Sequence, residues 1–452
     1  MKRVADLDTV APWALGAAVA LVYAPTLTAP VFGDDRVFVS GAAIFSLPLG
    51  EFLRGLLSRE YLSFTGEGTY QPLITLFHYA AHGAPAAYRI AGIALHALNA
   101  FLLARVARRL GGSAETSWLA ALLFALFPTH AETLIVSSFK GNLFAFAFIL
   151  AGLLCWARAL EEGSRRAIAG ASACFGLAVL SKETGLLAPL VYAAYSLLFA
   201  RRKRPDLQRR AGLGFALGAT MYLWWRFVGL GASAMVPSPH SPSLLFGWYA
   251  KTALWPYPLC RERTAPEGPA WHALTGLYLL ALWAARRRPA VLFGLVLFGL
   301  GVLPQIQRAQ SYMDSFVADR FLYISAAGLA LAAAFAARGR AAAVALAGVA
   351  FVWGGVALQR NFLYRDTRAL YEQTVVCAPN HFKAWGVLAQ NQFQRGDMAA
   401  AQDSARRAVG LNPYYPGGLR VLRESSLALG DREQARDAEK LERALFPDSP
   451  AY

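Results

Sequence analysis

The sequence predicts an all-α protein: a polytopic membrane helix bundle of about eleven transmembrane helices, followed by a C-terminal α-helical repeat domain. Three observations carry that prediction. Of 452 residues, 56% are hydrophobic and only 16% charged, with a mean hydropathy of +0.37, where soluble globular chains carry about 25% charged residues. Basic residues recur in short loops between apolar runs. From about residue 366 the composition turns polar and Ala-rich, with a 34-residue period.

The first apolar run, 11–32, is long enough for about 30 Å of hydrocarbon, and the spans after it make it an uncleaved helix rather than a signal peptide. A mixed segment, 33–86, follows, with an acidic pair at Asp34 and Asp35 and short interfacial helices expected around 50–86. Further runs lie at 87–106, 116–137, 141–158, 167–182, 184–200, 211–229, 271–285, 290–304, 320–337 and 341–359. The clusters Lys2-Arg3, Arg105/Arg108/Arg109, Arg158/Arg165/Arg166, the run 201–210, Arg286–Arg288 and Arg338/Arg340 all fall on one side of that alternation. Basic loops mark the cytoplasmic side, so the N-terminus is expected inside and the C-terminus outside. The Asp pair, the His130 region, the Lys182 turn and a long 230–270 loop then share the outer side. The net charge of +16 is thereby a topology signal, and no nucleic-acid partner is expected. Cys155, Cys174, Cys260 and Cys377 are widely scattered, with no CxxC, so neither a disulfide framework nor a zinc site is expected.

In the C-terminal segment Pro379, Pro413 and Pro447 lie 34 residues apart, and Gly396-Asp397 and Gly430-Asp431 repeat at the same period. With Trp385, Leu388, Ala401 and Ala408, this resembles the tetratricopeptide repeat. About two repeats fit within 366–452. So short an array is expected to pack against the membrane domain, 1–360, or a partner.

Charged groups at membrane depth are costly and demand explanation. Asp34-Asp35 could be a helix cap, or a catalytic pair. His130 and Glu132 with Lys140 form a second group, in which Lys140 could equally snorkel. Lys182-Glu183 is a charged turn between two apolar runs. Arg320 and Tyr323 stand at the outer end of the run 320–337. Arg89 and His96 lie in 87–106, where His96 and Asn99 share a helix face and could serve an internal hydrogen bond or a site.

Taken in order, FGDDR (32–36), YQPL (70–73), YRIAGIALHALNAFLLARVARRL (88–110), PTHAETL (128–134), FKGN (139–142), SKETG (181–185) and ADRFLY (318–323), followed by the repeats, resemble the TMTC-type protein O-mannosyltransferases and their bacterial relatives. Those belong to the GT-C class of polyprenyl-phosphate-sugar-dependent glycosyltransferases. The resemblance implies a GT-C-like membrane domain over 1–360 and an inverting transfer of a monosaccharide, mannose favoured, to a hydroxyl of an extracytoplasmic acceptor. It implies catalytic Asp34 and Asp35, one of them the base; donor-phosphate contacts at Arg320, Tyr323, Lys182 and Lys140; and supporting Glu183, His130, Glu132, Arg89 and His96. Gln71, Phe127, Lys140 and Asn142 depart from the family pattern, and bear on the donor sugar and acceptor more than on the reaction class.

The physics suits that chemistry. A lipid phosphate is already a weak base as leaving group, so it needs cations rather than a general acid. An acceptor hydroxyl needs a base, and a carboxylate in a partly dry cavity can serve. No metal-ligand cluster is required, although a divalent metal is compatible. The partners implied are a lipid-linked sugar donor, a polypeptide acceptor held by the repeats (366–452) and membrane lipids, in a bacterial inner membrane by composition. A lipid or glycan acceptor fits the same motifs. A non-enzymatic anchor presenting a repeat scaffold would need neither the acids nor the cations. A transporter is disfavoured, because the spans show no internal repeat.

Overall fold

The computed structural model describes residues 2–31, 43–62, 70–232, 240–264, 266–306 and 317–446, and among these the regular structure is helical, without a strand. Helix α1 (Lys2–Tyr23) runs into a 3-10 turn, Ala24–Thr28. Short helices α2 (Leu49–Leu56) and α3 (Pro72–Ala81) precede α4 (Pro85–Arg109), α5 (Ala114–Ala125), α6 (His130–Ile135) and α7 (Lys140–Glu162). Then come α8 (Arg165–Ser181), a 3-10 turn Glu183–Leu187, α9 (Ala188–Phe199), α10 (Pro205–Trp224), α11 (Pro242–Leu254), α12 (Ala270–Ala284) and α13 (Pro289–Ile306). A 3-10 turn, Asp319–Leu322, opens α14 (Tyr323–Ala336), and α15 (Gly339–Leu363) follows. The starts are written in the sequence. Proline, whose missing N–H is spare in a first turn, opens α3, α4, α10 and α11, and Ser113 and Ser164 cap α5 and α8 by accepting from Thr116 N and Ala167 N.

Among the described residues, six helical stretches are long and apolar enough to cross a membrane: Leu7–Thr28, Pro85–Arg109, Ser137–Glu162, Pro289–Ile306, Asp319–Ala336 and Gly339–Leu363. Ala114–Ala125 and Glu183–Phe199 are shorter apolar helices. The chain is an integral membrane protein. The expected run 116–137 is not one helix, because Pro128 disfavours a helical predecessor and splits it into α5 and α6. The expected loop 230–270 contains α11.

Helices α13 and α14 pack closely. A Cβ at Gly328 would lie 2.3 Å from Phe298 N, and one at Gly294 would lie 2.5 Å from Ala332 N, so the two backbones meet where side chains are absent. Helices α4, α5, α7 and α14 enclose the centre of the bundle, and α8 packs along α7.

Beyond α15 come α16 (Thr367–Cys377), α17 (Phe382–Gln394), α18 (Met398–Leu411), α19 (Pro416–Ala428) and α20 (Arg432–Leu445), each against the next. The repeated Gly-Asp pair has a mechanical cause. Gly396 and Gly430 take φ of +83° and +79°, while Asp397 and Asp431 cap α18 and α20 by accepting from Ala400 N and Gln434 N. Helices α16 and α17 bury Leu370, Tyr371, Val375, Ala384 and Leu388 against Ala29, Ala131, Ile135 and Tyr364, so the array sits on the end of the membrane bundle that carries α6.

One expectation is corrected outright. Cys260 and Cys377 form a disulfide with a Cα–Cα distance of 6.4 Å, tying the segment before α12 to the end of α16. Their separation of 117 residues hid the pairing, because only the docking of the array brings them together.

Candidate functional site

The short helix α6 organises the array-side end of the bundle. It packs against the Ala24–Thr28 turn on one side and the Asp319–Leu322 turn on the other. The Arg89 side chain, at the start of α4, donates to Leu27 O at 3.5 Å and to Pro30 O at 3.0 Å, fixing the chain shortly before the acidic pair. Asp34 and Asp35 themselves lie outside the described residues.

Glu132, fully buried on α6, places one oxygen between two guanidiniums. Arg320 Nη1 donates to its Oε1 at 3.0 Å, and Arg261 Nη1 donates to the same oxygen. Arg320 also stacks on Phe139 and Phe321, at 4.9 and 4.7 Å from the ring centres. Its Nε has no hydrogen-bond partner among the described residues. A second knot adjoins the first. Asp319 accepts from Arg263 at 3.1 and 3.2 Å and from Cys260 N at 3.2 Å, and Arg360 Nη2 lies 3.8 Å from it. Glu262 lies 3.9 Å from Arg261 Nε, so four arginines face three carboxylates, two of them fully buried. Tyr364 and Tyr371 beside them do not supply compensating charge, because burial pushes both hydroxyls up to about 12. The surplus is positive, and buried positive charge of this kind favours an anion.

Lys182 places its Nζ 3.5 Å from Gln71 Oε1, and Glu183 pairs with Arg226 at the end of α10. Both border a cleft of about 260 Å³ whose lining mixes apolar side chains such as Leu190, Leu223 and Phe227 with Thr184, Arg226 and Gln305. Across α10 an apolar groove of about 760 Å³ runs between α8 and α10, floored by Gly176, Gly214 and Gly218 and ending at Tyr70 and Trp225.

Other expected site residues occupy the interior. Lys140 is fully buried and donates to Leu134 O at 2.6 Å and Val136 O at 2.9 Å, closing the carbonyls that α6 leaves open at its end. Tyr323 is fully buried one helical turn below Arg320. Because Ala125 O can only accept, His96 Nε2 carries the proton it donates at 3.0 Å, and Nδ1 accepts from Tyr323 OH at 2.9 Å. Asn99 Nδ2 donates to the same hydroxyl at 3.1 Å and to Leu143 O at 3.0 Å. His130 packs its ring 4.7 Å from Tyr323 and 5.0 Å from His96. Tyr323 thus forms a buried tie between α4 and α14, and Lys140 bonds to backbone carbonyls of the interior.

Arg261, Arg263, Asp319 and Arg360 were not among the expected site residues. A signal existed for two of them: Arg261 and Arg263 carry positive charge in the loop that the charge alternation sets opposite the other basic clusters. Among the described residues no group of three His, Cys, Asp or Glu side chains could hold a metal ion.

Comparison with known proteins agrees with the motifs. A family model described as dolichyl-phosphate-mannose-protein mannosyltransferase matches residues 70–225, a span that contains Gln71, Arg89, His96, His130, Glu132, Lys140, Lys182 and Glu183. The mouse protein O-mannosyl-transferase TMTC2 is 27% identical over 178 residues, covering 36% of this chain and 21% of the relative. The human protein O-mannosyl-transferase TMTC4 is 23% identical over an alignment covering 82% of this chain and 62% of the relative. The chain thus spans about a fifth of the length of the one and 62% of the other. In its ordered motifs and in these matches the chain is similar to the TMTC-type protein O-mannosyltransferases.

Proposed function

We propose that the chain is an inverting glycosyltransferase that moves a monosaccharide, mannose favoured, from a polyprenyl-phosphate donor to a Ser or Thr hydroxyl of an extracytoplasmic protein. The observation that carries this reading is the positive surplus of four arginines over Glu132, Glu262 and Asp319, with Arg320 retaining an Nε that has no hydrogen-bond partner among the described residues, beside a chain entry that Arg89 fixes just before Asp34. A reaction with an anionic leaving group and a base-activated hydroxyl uses that pair of features together.

In this reading the acceptor hydroxyl attacks the anomeric carbon from the side opposite the phosphate. The C–O bond to phosphate breaks with its electron pair leaving on the polyprenyl phosphate, and one carboxylate of Asp34 and Asp35 takes the hydroxyl proton. Asp34 is the favoured base, with Asp35 orienting the acceptor. Arg320 and Lys182 stabilise the phosphate. Glu183 sets the Lys182 turn through Arg226, while His96, His130, Tyr323 and Lys140 hold the helices that present these groups. The apolar helices cross the membrane with the N-terminus cytoplasmic, and α16–α20 form a tetratricopeptide-type array that holds a polypeptide over the site. The disulfide supports that orientation, because such bonds persist in oxidising compartments.

The test uses membranes carrying the full chain, polyprenyl-phosphate mannose, glucose and other sugars with a labelled sugar, and extracytoplasmic protein as acceptor. Label should pass to protein from one donor. Arg320→Ala and Lys182→Ala should raise the donor KM, and deletion of 366–452 should weaken acceptor use more than donor use. Transfer to lipid or glycan alone would move the acceptor assignment. No transfer from any donor would favour the membrane-anchored scaffold.

A further inference from the structure

Two guanidiniums share one oxygen of a carboxylate that water does not reach. Arg261 and Arg320 both donate to Glu132 Oε1, while Oε2 has no hydrogen-bond partner among the described residues. Glu132 alone cannot neutralise two guanidiniums, and Arg261 divides its charge between Glu132 and Glu262, whose Oε1 lies 3.9 Å from Arg261 Nε. If Arg261 were absent, Glu132 and Arg320 would be left as a closed pair, and a buried pair of opposite charges holds its members strongly. We propose that Arg261 is a positioning residue that occupies Glu132 and so frees Arg320 to bind an anionic ligand, a phosphate monoester or diester. With the donor phosphate as ligand, this rests on the proposed function and deepens it.

Arg261 lies in no helix, so something else must hold it. The anchors are its neighbours. Cys260 is bonded to Cys377 of α16, and its backbone N–H donates to Asp319. Arg263 grips Asp319 through two nitrogens and Pro258 O through a third contact of 2.5 Å. Asp319 precedes Arg320 directly, so the segment that sets Arg261 is fastened to the turn that carries the cation it frees. The array therefore contributes to the site through Cys377, in addition to any acceptor binding.

The purely structural alternative, in which Arg261 only braces the array, makes a different prediction for a double substitution. The test measures binding of farnesyl phosphate to the full chain in detergent, together with donor and acceptor KM in membranes. Arg261→Ala should weaken farnesyl phosphate binding about tenfold and raise donor KM by a similar factor, leaving acceptor KM unchanged. Adding Glu132→Gln, whose neutral amide no longer holds Arg320, should restore binding to within about threefold of wild type. Arg261→Lys, which keeps the charge if the alanine variant folds poorly, should lose less than about threefold. Cys377→Ser should fall between wild type and Arg261→Ala.

A double variant no better than Arg261→Ala, or an equal rise in both KM values, would overturn the proposal in favour of a brace. Failure of the wild type to bind farnesyl phosphate would overturn it as well. Binding with the expected rescue but no sugar transfer would instead sink the transferase reading and leave this one standing.

Discussion

Asp319 joins three elements, and its removal should release one of them measurably. Its carboxylate has no exposed surface and accepts from Arg263 at 3.1 and 3.2 Å and from Cys260 N at 3.2 Å, with Arg360 at 3.8 Å. Asp319→Ala leaves two buried guanidiniums and a backbone N–H without their acceptor. Breaking a buried pair by deleting one partner costs about 3–5 kcal/mol. At the lower figure the local opening equilibrium of the segment 257–264 rises by a factor of about 150. The assay is hydrogen exchange on peptides covering that segment, where the Cys260 amide should lose about two orders of magnitude of protection. Asp319→Asn keeps an acceptor oxygen and should lose less. The disulfide survives both changes, so the effect belongs to the ion pairs. Unchanged exchange over 257–264 in the alanine variant would refute the claim that Asp319 holds this segment.

Two further perturbations test the packing. Gly328→Val places carbon where Phe298 N lies 2.3 Å from the ideal Cβ, so α13 and α14 must separate; a loss of at least about 1–3 kcal/mol should show as a lower melting temperature in detergent, and an unchanged one would contradict the close backbone contact. The docking of α16 should respond to pH through Tyr364 and Tyr371. Burial raises both from about 10 to about 12, so the docked state favours the neutral phenols; protection of α16 should stay flat from about pH 7 to pH 9 and fall as pH rises from about 10 to 12. A loss of protection starting below about pH 9 would assign the dependence to other groups.

What the sequence made legible was local. The apolar runs announced themselves because a helix must stay apolar for its whole passage, and among the described residues helical structure lies over them, in two pieces over 116–137. Gly396-Asp397 and Gly430-Asp431 were readable because a left-handed glycine and a capping aspartate have the same work to do in each repeat. Pro128 could have been read as a break in the run 116–137, but the apolar residues around it masked the change from one helix to two. The site was legible as a set of residue types and not as an arrangement. Arg320 and Glu132 were picked out separately, although their pairing links positions 188 apart. Lys140 looked like a free cation, yet its ammonium closes the carbonyls of α6. Tyr323 matched a motif, yet its hydroxyl is engaged by His96 and Asn99 on another helix. Long-range pairings such as Cys260 with Cys377 depend on how the array docks, which no local pattern encodes.

The account stands or falls on the carboxylates that follow the Arg89-fixed entry. The direct measurement is release of polyprenyl phosphate from the preferred donor, coupled to label in protein, for wild type, Asp34→Asn, Asp35→Asn and the double variant, with folding checked by size-exclusion profile. Loss of a general base costs about a factor of 10²–10⁴, so at least one single variant should fall by that much while still binding donor. Wild-type turnover in a well-folded Asp34→Asn/Asp35→Asn double variant would contradict the account.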